Sequence, residues 1–160
     1  MAQDAAEEAL AHAHITSLLA KYYQAIDNGR WSVLDEEVLA DDAVWDVTQT
    51  SPTGGSIHDS VQGRAEIMNW FAQIMGGDAA MSEGTCRHFI STHVIDVDGT
   101  TARSSSHLQA FDTNTLAMLS NGSAKAEHVK TDRGWRIRRY DLIENITDAD
   151  MEAFKQAVPR

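Results

Sequence analysis

Two hydrophobic periodicities run along this chain, and the change from one to the other divides it near its middle. Between residues 5 and 28, Leu10, Ile15, Leu18, Leu19, Tyr22 and Ile26 recur at spacings near three, four and seven, which predicts an amphipathic helix. Asn28-Gly29 ends it, because glycine readily takes the left-handed conformation that closes a helix. Trp31, Leu34 and Val38 fall on one face of a short second helix, Asp41-Asp42 makes a turn, and Ala43 to Val47 reads as a strand. TQTSPTGGSIHDSVQG is rich in Gly, Ser and Thr and predicts a long loop or loose hairpin at a sheet rim, in the position of a lid. Gly63-Arg64 opens a third helix with Ile67, Trp70, Phe71 and Ile74 on its apolar side, ending at Gly76-Gly77.

After that point the pattern is β. Arg87 to Val97 closes at Asp98-Gly99, a hairpin signal, and Thr101 to Phe111 follows. Leu116 to Lys130 and Trp135 to Ile146 are split by Asp132-Arg133-Gly134, and the residues after Asn145 form a short acidic helix that packs outside or closes one end of a pocket. Helices first and a meander of long strands afterwards predict an α+β fold. With 160 residues and no internal repeat or linker, a single domain over 1–160 is expected.

Charge narrows the partners. The formal net charge of −11 comes from 24 acidic against 13 basic residues with no Lys/Arg cluster, which argues against nucleic acid and anionic membranes. No apolar run approaches the ~20 residues that span a bilayer, and the N-terminus lacks the basic and apolar regions of a leader, so a soluble cytoplasmic protein is expected. The one cysteine, Cys86, fits a reducing compartment; it reads as a small core residue, with a thiol nucleophile activated by Arg87 or His88 as the alternative.

The segments YYQAIDNGRW, LADDAVWDV, GRAEIMNWF, RHFISTHVIDVDGTTARSSS and DRGWRIRRYDLIENI occur in this order between His14 and Asn145. Together they resemble the SnoaL-like family of the nuclear-transport-factor-2-like superfamily. The resemblance implies a cone-shaped half barrel, in which N-terminal helices cover a strongly curved antiparallel sheet around a pocket, and a homodimer or higher homo-oligomer formed through the sheet. Activities in the superfamily include polyketide cyclases, scytalone and bile-acid dehydratases, a hexachlorocyclohexane dehydrochlorinase, ketosteroid and terpenoid isomerases, epoxide hydrolases and non-catalytic dioxygenase subunits. Fold alone therefore leaves the activity open.

In the dehydratase and dehydrochlorinase branch, an aspartate at the end of the first helix orients a histidine that removes a substrate proton. Asp27 and His88 stand at those positions, and Tyr22 at the spacing of the tyrosine used by bile-acid-dehydratase-like members. The chemistry suits the residue types. A histidine of ordinary pKa is a neutral base at cytosolic pH, a carboxylate on its other nitrogen fixes the tautomer, and a tyrosine hydroxyl stabilises developing negative charge. Against this stands a solvated helix end or a structural ion pair.

Tyr22 and Tyr23 diverge by about 100° on a helix, so at most one should face the pocket squarely, and Tyr23 lies one turn from Asp27 and within reach of it. Trp45, Trp70, Phe71, Phe89, Met68 and Met75 are the expected lining, with Tyr23, Trp45, Trp70, Phe89 and His107 as substrate contacts. His107 resembles the second histidine of scytalone dehydratase, with a sheet-surface or interface histidine as the alternative. His93 should point away from His88 unless a bulge intervenes. His12 and His14 do not share a helix face, and no His-x-x-x-His occurs, so no metal is expected; Gly54-Gly55 and Gly76-Gly77 lack the setting of a phosphate loop, so no nucleotide cofactor is expected. The function predicted is a cofactor-independent lyase or isomerase acting on an apolar small molecule. The alternatives are a non-catalytic ligand-binding or assembly subunit, and a polyketide-cyclase or epoxide-hydrolase type of enzyme.

Overall fold

A computed structural model describes residues 2–75 and 85–157. The predicted helix stop at Gly76-Gly77 and the side chain of Met75 lie outside the described residues.

Helix α1 (Ala2–Asp27) is the longest helix. Its buried stripe runs Ala11, Ile15, Leu18, Leu19, Tyr22, Tyr23 and Ala25, while Leu10, expected on that face, is 56% exposed. Gly29 ends the helix at φ 61°, and the amides of Gly29 and Arg30 turn back to the carbonyls of Ile26 and Ala25. This tight reversal fixes Asp27 at the helix end. The short α2 (Trp31–Val33) continues as a wide π turn (Leu34–Val38) that buries Leu34 and Val38.

Strand β1 (Leu39–Ser51) is far longer than the stretch predicted, and it turns at Pro52 to Gly54 into β2 (Gly55–Gln62). The expected loop is therefore mostly an antiparallel hairpin. Helix α3 (Arg64–Met75) then leads to the meander β3 (Cys86–Asp98), β4 (Thr101–Asp112), β5 (Met118–Thr131) and β6 (Gly134–Ile146), before α4 (Asp148–Ala157). The six strands form one open mixed sheet in the order β2-β1-β6-β5-β4-β3.

One pairing departs from the antiparallel expectation: β1 runs parallel to β6. The β1–β2 hairpin is not a continuation of the meander. It joins the meander's far edge through β1 after the chain has crossed by α3, and a crossover of that length permits parallel alignment.

The inner face of the sheet carries, in adjacent cross-strand rows, His88, Ala110, Ser120 and Ile146, and Ile90, Leu108, Gly122 and Glu144. Helices α1 and α3 cover this face, and Tyr22, Tyr23, Trp45, Phe71 and Tyr140 lie in one buried cluster beneath them. Helix α4 closes one end, as one of the two sequence expectations had it. Asp148 Oδ1 accepts from the amides of Thr53 (2.9 Å) and Gly54 (3.1 Å), and Lys155 Nζ donates to Gly54 O at 3.1 Å. Those contacts fasten α4 to the β1–β2 tip, with Met151 and Phe154 turned inward.

Candidate functional site

Helix α1 ends beside the first residues of β3, and this junction makes the site. His88 Nδ1 meets Asp27 Oδ1 at 2.6 Å, and the His88 backbone N–H donates to Asp27 Oδ2 at 3.1 Å. One carboxylate thus holds both the ring and the backbone of its partner. Arg87 Nη1 donates to the Asp27 carbonyl at 3.2 Å, satisfying one of the unpaired carbonyls of the helix end. Both side chains are nearly sealed, at 9% exposure for His88 and 6% for Asp27.

Cys86, one pleat before His88, places its Sγ 4.0 Å from the same Nδ1. Burial pulls the His88 pKa down, but the hydrogen bonds to Asp27 and Cys86, with their charges, outweigh it and lift the pKa from 6.5 to about 9. The neutral imidazole expected at cytosolic pH is therefore replaced by a resting imidazolium–carboxylate pair. Sequence supplied the partner and set Cys86 beside His88, but not the depth of burial.

The ligand atoms of Asp27, Cys86 and His88 lie within 4.8 Å of one another, an oxygen, sulfur and nitrogen set able to hold a soft cation. A cation there would have to replace the proton of the 2.6 Å contact, because Nδ1 is already engaged. Spacing rules built on helical His pairs do not detect a set drawn from a helix end and one strand.

His88 opens onto a cavity of about 170 Å³. Its walls include Tyr22, Tyr23, Trp45, Trp70, Leu108 and Phe154. A cavity of roughly 150 Å³ is large enough for benzene, so this one has space for about one or two rings. The aromatic wall is layered: Trp45 and Tyr140 stack at 4.9 Å, and Tyr22 and Tyr140 at 5.0 Å. Both Tyr22 and Tyr23 line the cavity, of which at most one was expected to face it squarely. Tyr23 does not bond Asp27; its hydroxyl pairs with that of Tyr140, and its ring lies 5.1 Å from His88. The Tyr22 hydroxyl is buried with no partner among the described residues. Burial, then the neighbouring Tyr140 hydroxyl and last the charge of Glu144, raises the pKa of both tyrosines well above 10, so they remain hydrogen-bond donors.

Two expected substrate contacts are elsewhere. Phe89 is 60% exposed and packs edge-on to Phe111 on the outer face of the sheet. Successive strand side chains point to opposite faces, so an inward His88 forces Phe89 outward. His107 is exposed on the same outer face, beside Thr92 Oγ1 at 2.9 Å, while its neighbours Ser106 and Leu108 turn inward. Met68 packs against the core but does not line the cavity.

His93 follows the exception foreseen for it. The β3–β4 register slips between Ser91 and Val94, with Thr92 at φ 54°, and this bulge flips the parity of the strand. His93 therefore shares a face with His88, and the two line a second cavity with Thr16, Gln24 and Asp27. Sequence also missed Tyr140, Gln49 and Glu144. All three come from β1 and β6, whose parallel pairing no local pattern announces.

A second histidine acts on stability in the opposite sense. His128 is 2% exposed, Ser104 Oγ lies 2.8 Å from its Nε2, and burial lowers its pKa from 6.5 to about 4. A raised folded pKa stabilises below the unfolded value and is lost as pH rises through about 9, which is the case of His88. A lowered one stabilises above the unfolded value and is lost as pH falls through about 4, which is the case of His128. Each limb is worth on the order of 3 kcal/mol. Thermal melts between pH 4 and 10 should show a maximum near pH 6.5, with only the alkaline limb flattened in His88→Gln. An unchanged alkaline limb in that variant would contradict the assignment.

The chain is an open α+β cone whose buried histidine–aspartate pair adjoins an apolar pocket. Residues 7–141 match the SnoaL-like domain, and the chain belongs to that family. No curated protein matches it in sequence. Among solved structures, an NTF2-like protein with a cystatin-like fold from Novosphingobium aromaticivorans is 23% identical, with a TM-score of 0.67 over 100% of this chain and 97% of the other. A proposed β subunit of an aromatic-ring-hydroxylating dioxygenase from the same organism is 15% identical, with a TM-score of 0.69 over 86% and 91%. At such identities these likenesses establish the fold alone. No helix among the described residues is long and apolar enough to cross a membrane.

Proposed function

We propose that the protein is a cofactor-independent lyase or isomerase that moves a proton at carbon on a compact apolar molecule. The observation that carries this reading is the 2.6 Å contact between Asp27 and His88 beside the cavity. Asp27 holds Nδ1 and leaves Nε2 to exchange a proton with the ligand. Removal of a proton beside a carbonyl or leaving group puts negative charge on the substrate, and the tyrosine layer faces it. Tyr22, whose hydroxyl lacks a partner among the described residues, is the donor proposed; the Tyr23–Tyr140 pair adds a second polar group beside His88. A non-catalytic ligand-binding subunit remains the second reading, favoured by the resting ion pair, since a base must first lose its proton.

The test uses 2-tetralone, a two-ring ketone with acidic carbon-bound hydrogens, in D2O. Proton NMR follows loss of the α-hydrogen signal with and without protein. Acceleration over buffer is expected, and a wild-type rate equal to buffer would end the enzymatic reading for this class of carbon acid.

A homodimer through the outer face of the sheet is also proposed. Phe89 and Ile143 are each 60% exposed and Met118 is 49% exposed, an apolar display that a second copy would bury. Light scattering should find a dimer that Phe89→Glu converts to monomer. A monomeric wild type at micromolar concentration would remove the proposal.

A further inference from the structure

The cavity has a second polar end that proton transfer at His88 does not use. Glu144 lines it at 8% exposure, and its Oε2 accepts from Gln49 Nε2 at 3.1 Å. Gln49 and Glu144 are partners in the β1–β6 register, and the Gln49 Oε1 is buried without a partner among the described residues. Ser120, 6% exposed, lines the same cavity. Among the described residues, none that lines the cavity is a lysine or arginine.

A buried carboxylate held by one neutral amide is under-solvated, since an ionised carboxylate offers about four acceptor sites. Its charge reaches across the cavity and contributes to raising the pKa of Tyr22, Tyr23 and Tyr140. Within the register, Glu144 on β6 stands three strands from β3, which carries His88. Three strand spacings are about 14 Å along the sheet, and curvature shortens the distance across the hollow. A ligand that touches both ends has its reacting carbon at His88 and a hydrogen-bond donor at Glu144.

We propose that Glu144 and Gln49 form a recognition site for a hydroxyl group on an otherwise apolar ring substrate, so that the natural ligand is a hydroxylated and not an anionic molecule. The assignment rests on the reading of the cavity as a substrate pocket, and it names the class of substrate. The carboxylate accepts a hydrogen bond from the ligand hydroxyl, and the same charge repels carboxylates and phosphates from this end. Apolar walls on either side strengthen both effects by excluding water.

The test is calorimetric titration at pH 6.5 with 2-naphthol, 2-methoxynaphthalene and 2-naphthoate. Wild-type protein should bind 2-naphthol about tenfold or more tightly than its methyl ether, as a charge-assisted hydrogen bond requires, and bind 2-naphthoate most weakly. Glu144→Leu should close the gap between the first two. If that variant does not fold, as judged by circular dichroism, Glu144→Gln keeps the shape and removes the charge, and 2-naphthoate should then gain about tenfold. Equal binding of naphthol and ether by wild type overturns the proposal, as does a gap that survives Glu144→Leu or a naphthoate affinity unmoved by Glu144→Gln. Binding is read without turnover. Failure here therefore leaves the proton-transfer reading standing, and failure of 2-tetralone exchange leaves this one standing.

Discussion

Replacing His88 by alanine is expected to bring 2-tetralone exchange down to the buffer rate, a loss of about 10² to 10⁴-fold, which is the usual worth of a positioned general base. Asp27→Asn should lose a comparable share, because an amide neither supports the imidazolium nor fixes the tautomer in the same way. The pH profile separates chemistry from mere binding. A base whose pKa is raised to about 9 is neutral in only about one molecule in a hundred at pH 7, so the wild-type rate should climb with pH and level off near 9. Since His88 also helps to hold α1 against β3, each variant is to be checked by its melt. A folded His88→Ala protein that exchanges as fast as wild type would leave the dyad a structural fastening.

Gly122→Ala should be among the most damaging changes outside the site, costing about 3 kcal/mol or more and preventing folding at higher temperature. The reason is space and not dihedral freedom. A Cβ at this position would stand 2.1 Å from the carbonyl oxygen of Ile143 and 2.9 Å from the Cα of Glu144, both backbone atoms that cannot swing aside. Glycine inside a strand marks just such an approach of two chains. The neighbouring strand would have to move, carrying Glu144 with it. Urea denaturation of the variant, compared with Ser123→Ala one residue away on the exposed face, measures the cost. A Gly122→Ala protein as stable as wild type would mean that β5 and β6 separate freely here.

Local chemistry made most of the fold legible. The 3.6-residue spacing in α1 and α3, the Asp98-Gly99 turn and the Asp132-Arg133-Gly134 break each determine a boundary within a few residues of themselves. What the sequence hid is non-local. Nothing in Leu39 to Ser51 announces that it runs beside β6 in parallel, so Gln49 and Glu144 could not be brought together beforehand. Phe89 was misplaced against a rule already in hand, since strand alternation with an inward His88 excludes it. His93 was placed conditionally, and only the backbone at Thr92 settles which condition holds. Asp27 and His88 were identified by resemblance and brought together by the helix end, whereas the raised His88 pKa depends on burial that a string of letters does not display.

Strand β3 is also an outer edge of the sheet, with one side of its backbone unpaired by any other strand among the described residues. Edges of this kind invite pairing with other chains unless something blunts them. Asp27 occupies one of those positions by taking the His88 amide hydrogen. The carboxylate that tunes the imidazole thus also shields one amide of the rim from pairing with a stranger, so a change at residue 27 touches both the histidine and the sheet edge.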